Sequence, residues 1–302
     1  MAISRAQLAK ELEPGLNALF GIEYGRYENE HSEIFDEESS DRAFEEEVML
    51  GGFAAAPVKS EGGAISFDDA QETYTARYTN ETIALAFSIT EEAIEDNLYD
   101  RLASRYTKAL ARSMAQTKQI KAANVLNNAF STGVHVIGDG AALCSAAHPS
   151  LSGNQSNLLG TAADLNETSL ESMLIDIAGL TDERGLKIAI RGMKLIIPKE
   201  LQFIAERVMN SNLRSGTADN DNNAMKNMGM LPEGAAVNHF LTDSDAYFIK
   251  TDAPNGFKYF NRSAIKTAME GDFDTGNMRF KARERYSFGV SDWRGVFGTP
   301  GA

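Results

Sequence analysis

Between Ser88 and Phe130 the chain runs for about forty residues without a glycine or a proline. Helix is favoured throughout such a stretch, because neither the most flexible residue nor the one that lacks an amide N–H interrupts it. It opens Ser88-Ile89-Thr90-Glu91, which fits a capping box begun at Ser88, with Thr90 as the alternative cap. Glu91, Glu92, Glu95, Asp96 and Asp100 crowd the first turns, and Lys108, Arg112, Lys118 and Lys121 follow toward the far end. That order complements a helix dipole. At ~1.5 Å per residue the rod is about 60 Å long.

Ile94, Leu98, Leu102, Tyr106, Leu110 and Met114 recur at every fourth position along it. Each step turns the stripe by about 40° around a helix of ~3.6 residues per turn, so the stripe winds more than half-way round. One flat surface cannot cover it, and different neighbours are predicted at its two ends. A coiled-coil seam alternates three and four instead. The pattern fits a long helix in an enzyme domain, or the backbone rod of a flat subunit with many contacts.

The remaining segments differ in character. Residues 1–20 read as a short amphipathic helix through Leu8, Leu12, Leu16, Leu19 and Phe20, interrupted at Pro14-Gly15. Residues 28–47 carry ten acids against one arginine, Arg42. Such a segment has little core of its own and is ordered only where something holds it; a neighbouring subunit is the expected holder. From 48 to 87, a glycine-rich bend at Gly62-Gly63 and the alternation after Phe67 predict a long two-stranded arm, polar on both faces. A lone ribbon is marginal in water and needs a surface to lie on.

Beyond the rod, residues 133–160 form a glycine-rich connection holding His135, Cys144, His148-Pro149 and Asn154-Gln155-Ser156-Asn157. Cys144 and His148 lack the second Cys/His pair of a zinc site and a base with an orienting third group, so a buried thiol and a turn are expected. Helix, strand and helix follow over 166–209, with Lys194–Ile197 as a buried strand and Pro198 in the first turn of the second helix. Neither a GxGxxG nor a GxxxxGK[ST] sequence opens a helix there. Asp219 and Asp221 lack the rest of a calcium-loop pattern, which leaves 212–230 as a surface loop. The last third is strand-rich: 246–249, 257–260, 264–269 and 278–289. In the last of these Arg279, Lys281, Arg283 and Arg285 share a face, and such a row repels itself unless acids oppose it. The acids of 28–47, supplied by an adjacent copy, are the expected counterpart.

Composition sets the outer bounds. The 302 residues suffice for one large core or two modest ones. No run approaches ~18 apolar residues, so no membrane-spanning helix is expected, and the first residues lack the apolar segment of a secretory signal. The single Cys144 excludes an internal disulfide and agrees with a reducing compartment. A net charge of −14 argues against a general grip on nucleic acid. It leaves open a container whose wall faces DNA without holding it.

Phe87-Ser88-Ile89-Thr90-Glu91-Glu92 before the rod, Ala147-His148-Pro149 with Ser156-Asn157 after it, and Glu284-Arg285-Tyr286-Ser287-Phe288-Gly289 near the end carry a family likeness. With the order of parts they make the whole chain resemble the major capsid protein of tailed double-stranded DNA bacteriophages. The His-Pro and Ser-Asn pairs are similar to the head subunits of Mu-like transposing phages. The resemblance implies an α+β fold: an N-terminal arm (1–47), an extended loop (48–87), a peripheral domain with the spine helix (88–134 and 259–284) and an axial domain (135–258 and 285–302). It implies a non-enzymatic subunit without cofactor or metal, self-assembling into hexamers and pentamers of an icosahedral shell. The implied partners are other copies, a scaffolding protein, a portal, decoration proteins and packaged DNA bound without sequence specificity. The implied place is the virion, assembled in the host cytoplasm. Many family members begin with a cleaved scaffolding segment of about a hundred residues; with so short a run before the ribbon, the expectation is that a separate protein does that task or that such a segment has already been removed.

An encapsulin-like compartment of the same fold is the alternative, and an acidic enzyme with a site in 133–240 a more distant one. Glu45, Glu46, Glu47, Lys59, Arg77, Arg279, Arg283 and Arg285 are the expected subunit-interface residues. One branch of the family joins subunits by an isopeptide bond. That resemblance marks Lys59 as the attacking amine, Asn277 as the acceptor and Glu284 as the proton acceptor, although an odd spacing puts the last two on opposite faces of a flat strand.

Overall fold

The computed structural model of the chain describes residues 5–90, 92–93, 99–133, 137–213, 221–272 and 275–302. Two four-stranded sheets and a two-stranded ribbon are arranged around the long helix α2 (Tyr99–Asn127). The first sheet has the order β1-β8-β9-β4, with β1 Asp36–Ser39, β4 Glu81–Ile89, β8 Phe257–Gly271 and β9 Met278–Val290. β1 runs parallel to β8, and the other neighbours are antiparallel. The ribbon pairs β2 (Phe44–Gly51) with β3 (Gln71–Thr79).

Two clusters cover successive lengths of the spine helix, the second beyond the end of the four-residue stripe at Met114. Leu110, Ala111 and Met114 pack against Phe280 and Ala282 of β9 and against Leu16 and Phe20 of α1 (Arg5–Tyr24). Further along, Ala122, Val125 and Leu126 join Ile34, Phe35, Phe257, Tyr286 and Trp293. Tyr106, on the same stripe, is half exposed, while Ile94 and Leu98 lie outside the described residues.

The second sheet has the order β10-β7-β5-β6, made of Val296–Thr299, Tyr247–Thr251, Gly192–Pro198 and Ala235–Asn238. Helix α3 (Glu167–Gly179) covers it with Leu170, Met173, Leu174 and Ile177. Asn166 caps α3 by accepting from Ser169 N, and Ser169 Oγ accepts in return from Asn166 N. A single 3-10 turn leads from Pro198 into α4 (Gln202–Asn210), and α5 (Ala224–Met228) lies beside it. Asp219, half of the supposed calcium pair, lies outside the described residues.

Five expectations are corrected. Ser88 does not begin the spine helix: Ser88 and Ile89 pair with Arg279 and Met278 inside the first sheet, while Thr90 Oγ1 accepts from Ala93 N at 3.4 Å. Pro14 does not break α1, because burial of Leu16 and Phe20 on the spine helix offsets the single backbone bond that proline removes. The 48–87 arm divides: only residues 71–79 pair back, with residues 44–51, and β4 leaves for the main sheet. The two short strands expected over 257–269 are one strand, β8, with irregular register near Asn261–Lys266, since the long β9 pairs with both halves. The acidic segment is held by its own chain, through β1 on β8 and the buried Ile34 and Phe35, and α1 likewise packs on its own spine helix.

Candidate functional site

The ribbon ends in an exposed loop, residues 52–70. Its apolar side chains have no cover: Val58 is 99% and Phe67 98% exposed, and Phe53 and Ile65 are also exposed. Burying one such side chain is worth about 1.5–3 kcal/mol, so a loop of this kind is complete only against another surface. Lys59 stands in it, exposed and without an ion-pair partner among the described residues.

The base of the ribbon is fastened to the body. Arg184 Nη2 donates to the Asp69 carbonyl at 2.7 Å and lies 3.9 Å from the Asp68 carboxylate. Gly138 passes so close to β3 that a Cβ there would sit 2.2 Å from the Thr75 carbonyl oxygen. Ala76 and Tyr78 are buried against Phe260, so this part of the ribbon has an apolar inner face rather than two polar ones. Gly289 makes room for the Tyr78 ring, 2.6 Å from where its Cβ would be.

The acids of residues 30–47 are largely spent inside the chain. Glu30 binds His239 at 2.8 Å, Asp36 meets Lys250 at 3.2 Å, and Glu37 accepts from Asn261 at 3.0 Å. Glu38 and Glu47 both reach the buried Lys258. Burial opposes its charge, but the hydrogen bonds and charges of those two carboxylates prevail and raise its pKa. Glu45 accepts from Ser40 at 2.7 Å, and Glu46 lies 3.7 Å from Arg77, whose guanidinium stacks on the Phe44 ring. The expected interface set Glu45, Glu46, Glu47 and Arg77 therefore works first within one subunit.

On β9 the alternation is as expected. Phe280, Ala282 and Glu284 turn to the buried side, while Arg279, Lys281 and Arg283 are exposed and Arg285 is half-buried. Arg279 is neutralised by Asp272 of its own chain. Among the described residues no acid pairs with Lys281, Arg283 or Arg285.

Within one chain the cross-linking trio is not brought together. Glu284 is 1% exposed, paired with Lys118 at 2.8 Å and accepting from Tyr24 OH at 3.1 Å. Asn277 lies at the hairpin before β9, its carbonyl accepting from Asp272 N. Seven residues of strand separate the two by roughly 23 Å. Within one chain, therefore, Glu284 and Asn277 do not meet.

The glycine-rich connection hides a polar network where the sequence suggests a turn. His148 stacks on Trp293 at 4.5 Å, with Nδ1 2.7 Å from Asp139 and Nε2 3.0 Å from Asn157 Oδ1. Asn157 donates to the carbonyls of Leu143, Trp293 and Val296, tying the connection to the C-terminal strand. Arg294 packs its guanidinium on the same Trp293 and pairs with Glu183 at 2.8 Å and Asp292 at 3.3 Å. Cys144 is buried in the core, and burial pushes its thiol pKa well up, so it is no nucleophile. Among the described residues no three His, Cys, Asp or Glu converge on a metal position, and no helix is long and apolar enough to cross a membrane. Lys118, Lys258, Arg184 and Arg294 were not singled out for these roles in the sequence; only the Asp292-Trp293-Arg294 run marks one of them locally.

Known structures place this arrangement. The chain is similar to the virus-like particle of Pyrococcus furiosus, at 10% identity and TM-score 0.52 over 94% of this chain and 97% of that one. It is similar to the capsid of Myoviridae phage XM1, at 11% identity and TM-score 0.53 over 89% of both. It is also similar to the capsid of a native GTA particle, at 12% identity and TM-score 0.54 over 90% of both. At such identities the likeness shows the fold. No curated protein matches by sequence. The model of a family described as phage capsid protein matches residues 73–298, most of the chain and nearly all of both sheets, and the chain therefore belongs to the phage capsid protein family, as a structural subunit of an icosahedral shell.

Proposed function

We propose that the chain is a major head subunit that assembles into hexamers and pentamers enclosing double-stranded DNA. The observation that carries this reading is the loop 52–70: it is fastened at its base by Arg184, while Val58 and Phe67 are left bare at its far end. An isolated monomer gains nothing from such an element, and a shell subunit gains a contact.

In this reading 48–87 is the extended loop, with β4 as the part returned to the body. Residues 88–134 with 259–284 form the peripheral domain, and 135–258 with 285–302 the axial domain. The two sheets support that division, and β9 crosses the 284/285 boundary and couples the halves. The arm 1–47 packs on its own subunit through α1 and β1. A scaffolding protein, a portal and decoration proteins complete the set of partners, DNA is enclosed without base-specific contacts, and assembly takes place in the host cytoplasm. The subunit has no catalytic task.

The likeness to a virus-like particle supports a second reading, a compartment shell with protein cargo. Native mass and electron microscopy of the purified protein test the first reading. Closed particles of megadalton mass are expected; a stable monomer at high concentration overturns both readings. Nuclease-protected DNA inside particles from infected or induced cells separates them.

A further inference from the structure

The spine helix α2 runs against the charge of its chain. Residues Tyr99–Asn127 hold the cations Arg101, Arg105, Lys108, Arg112, Lys118 and Lys121 against one acid, Asp100, in a chain of net charge −14. Two of these cations are spent within the subunit, Lys118 on Glu284 and Lys121 on Glu81. Arg105, Lys108 and Arg112 are exposed, and spacings of three and four residues put them in one row. The row is about 10 Å long at ~1.5 Å of rise per residue. None of the three has an acidic partner among the described residues; Arg112 lies over the Tyr27 ring, 6.0 Å from its centroid.

The row points away from the first sheet, because Thr107, Leu110, Ala111 and Met114 of the same turns are buried. The base of the ribbon lies on the other side of that sheet. Along β8, Tyr259 faces the spine helix near Lys118, while its neighbours Lys258 and Phe260 meet Glu47 and Tyr78 of the ribbon. A partner seated on the row therefore does not meet the ribbon base.

The exposed Ala109 and Gln116 continue the row without apolar bulk, and Tyr106 is turned to Phe87. Protein–protein interfaces deplete lysine and rely on apolar anchors at their centre, so the row suits a hydrated polyanion instead. A duplex carries one charge per ~1.7 Å of its axis, so a stretch as long as the row offers it about six phosphates in any register.

We propose that Arg105, Lys108 and Arg112 form the contact between the inner wall of the shell and the phosphate backbone of the enclosed DNA. This rests on the shell-subunit reading, and it orients the subunit: the exposed side of the spine helix looks inward. The acidic chain as a whole repels a polyanion, so three local cations per subunit steady the duplex at the wall without gripping it against movement. Contacts to phosphate carry no sequence information, in keeping with DNA enclosed without base-specific contacts.

The experiment uses DNA-filled particles from infected or induced cells. Formaldehyde joins lysine amines to nearby bases, and mass spectrometry of the adducts is expected to find Lys108 joined to DNA. A chain with Arg105→Gln, Lys108→Gln and Arg112→Gln is expected to assemble in normal yield, with unchanged thermal unfolding of the unassembled subunit, since all three side chains are exposed. Its particles should retain several-fold less DNA than the wild type after the same mild heating at fixed ionic strength. Absence of a Lys108–DNA adduct, or undiminished retention in the triple variant, overturns the proposal and leaves the shell reading in place. Lys108 joined to another protein instead of DNA assigns the row to an acidic protein partner and overturns it equally. A wild type that forms no particles removes the shell reading itself.

Discussion

Lys118, in the C-terminal half of the spine helix, holds its ammonium 2.8 Å from the carboxylate of Glu284 on the sheet beneath it. The ammonium lies 5.1–5.7 Å from the ring centroids of Tyr24, Tyr259 and Tyr286. Tyr24 donates to the same carboxylate, so one ion pair joins α1, the spine helix and β9. Burial, the charge of Glu284 and that hydrogen bond push the Tyr24 pKa far up, which keeps it a donor at any working pH.

Removing one partner of such a pair leaves the other charge buried. Lys118→Met is expected to destabilise the subunit by about 3–5 kcal/mol, and Lys118→Met with Glu284→Met by much less. Urea unfolding of unassembled subunits provides the measurement. A double-variant loss equal to the sum of the Lys118→Met and Glu284→Met single losses would show that the pair is not coupled.

His31 supplies an acid-sensitive point. It sits edge-on against Tyr259 and Phe288, its backbone N–H donating to Gln119 Oε1. Burial lowers its pKa to about 4, with Lys118 adding in the same direction against the opposing effects of Gln119 and Glu37. The folded chain therefore binds fewer protons than the unfolded one below the ordinary histidine range. Stability from this group is complete above about pH 6.5 and is lost as pH falls toward 4, by on the order of 3 kcal/mol. His31→Phe should flatten that part of the stability–pH curve; an unchanged slope between pH 6.5 and 4 would assign the acid sensitivity elsewhere.

Arg184 clasps the ribbon at Asp68 and Asp69 on a partly exposed surface. Arg184→Ala is expected to cost no more than about 1 kcal/mol of global stability. It should nevertheless speed limited proteolysis within residues 52–70 several-fold. Cleavage at the wild-type rate would mean that the ribbon is held by β3 packing alone.

Boiling assembled particles in detergent with reductant is expected to give a single band near 32.9 kDa. Within its own chain Glu284 is paired with Lys118, away from the Asn277 hairpin. A ladder abolished by Lys59→Ala would show that another group accepts the proton.

Local sequence was enough for several elements. Absence of glycine and proline over forty residues leaves the spine helix little alternative, and the buried Leu110 and Met114 of its four-residue apolar repeat mark the side that packs on the first sheet. Asn166 before an amphipathic run, Pro198 after an apolar one, and the two-residue period of Arg279–Arg285 each carry their structure in a few neighbouring residues. Long-range pairing decided the rest. Ser88 and Ile89 satisfy helix-cap chemistry as well as they satisfy a strand, and only β9 alongside them makes them strand. Pro14 should end a helix in isolation, yet the burial of Leu16 and Phe20 carries α1 through it. Ten acids in twenty residues announce a charged segment without saying where it lies; β8 holds part of it as an edge strand and Lys258 draws in Glu38 and Glu47. Glu284 is indistinguishable in the sequence from an exposed acid in a basic strand. The pleat places it beneath the spine helix, because β-strand alternation fixes that a residue faces opposite to its neighbours, while only the packed sheet fixes which face is buried.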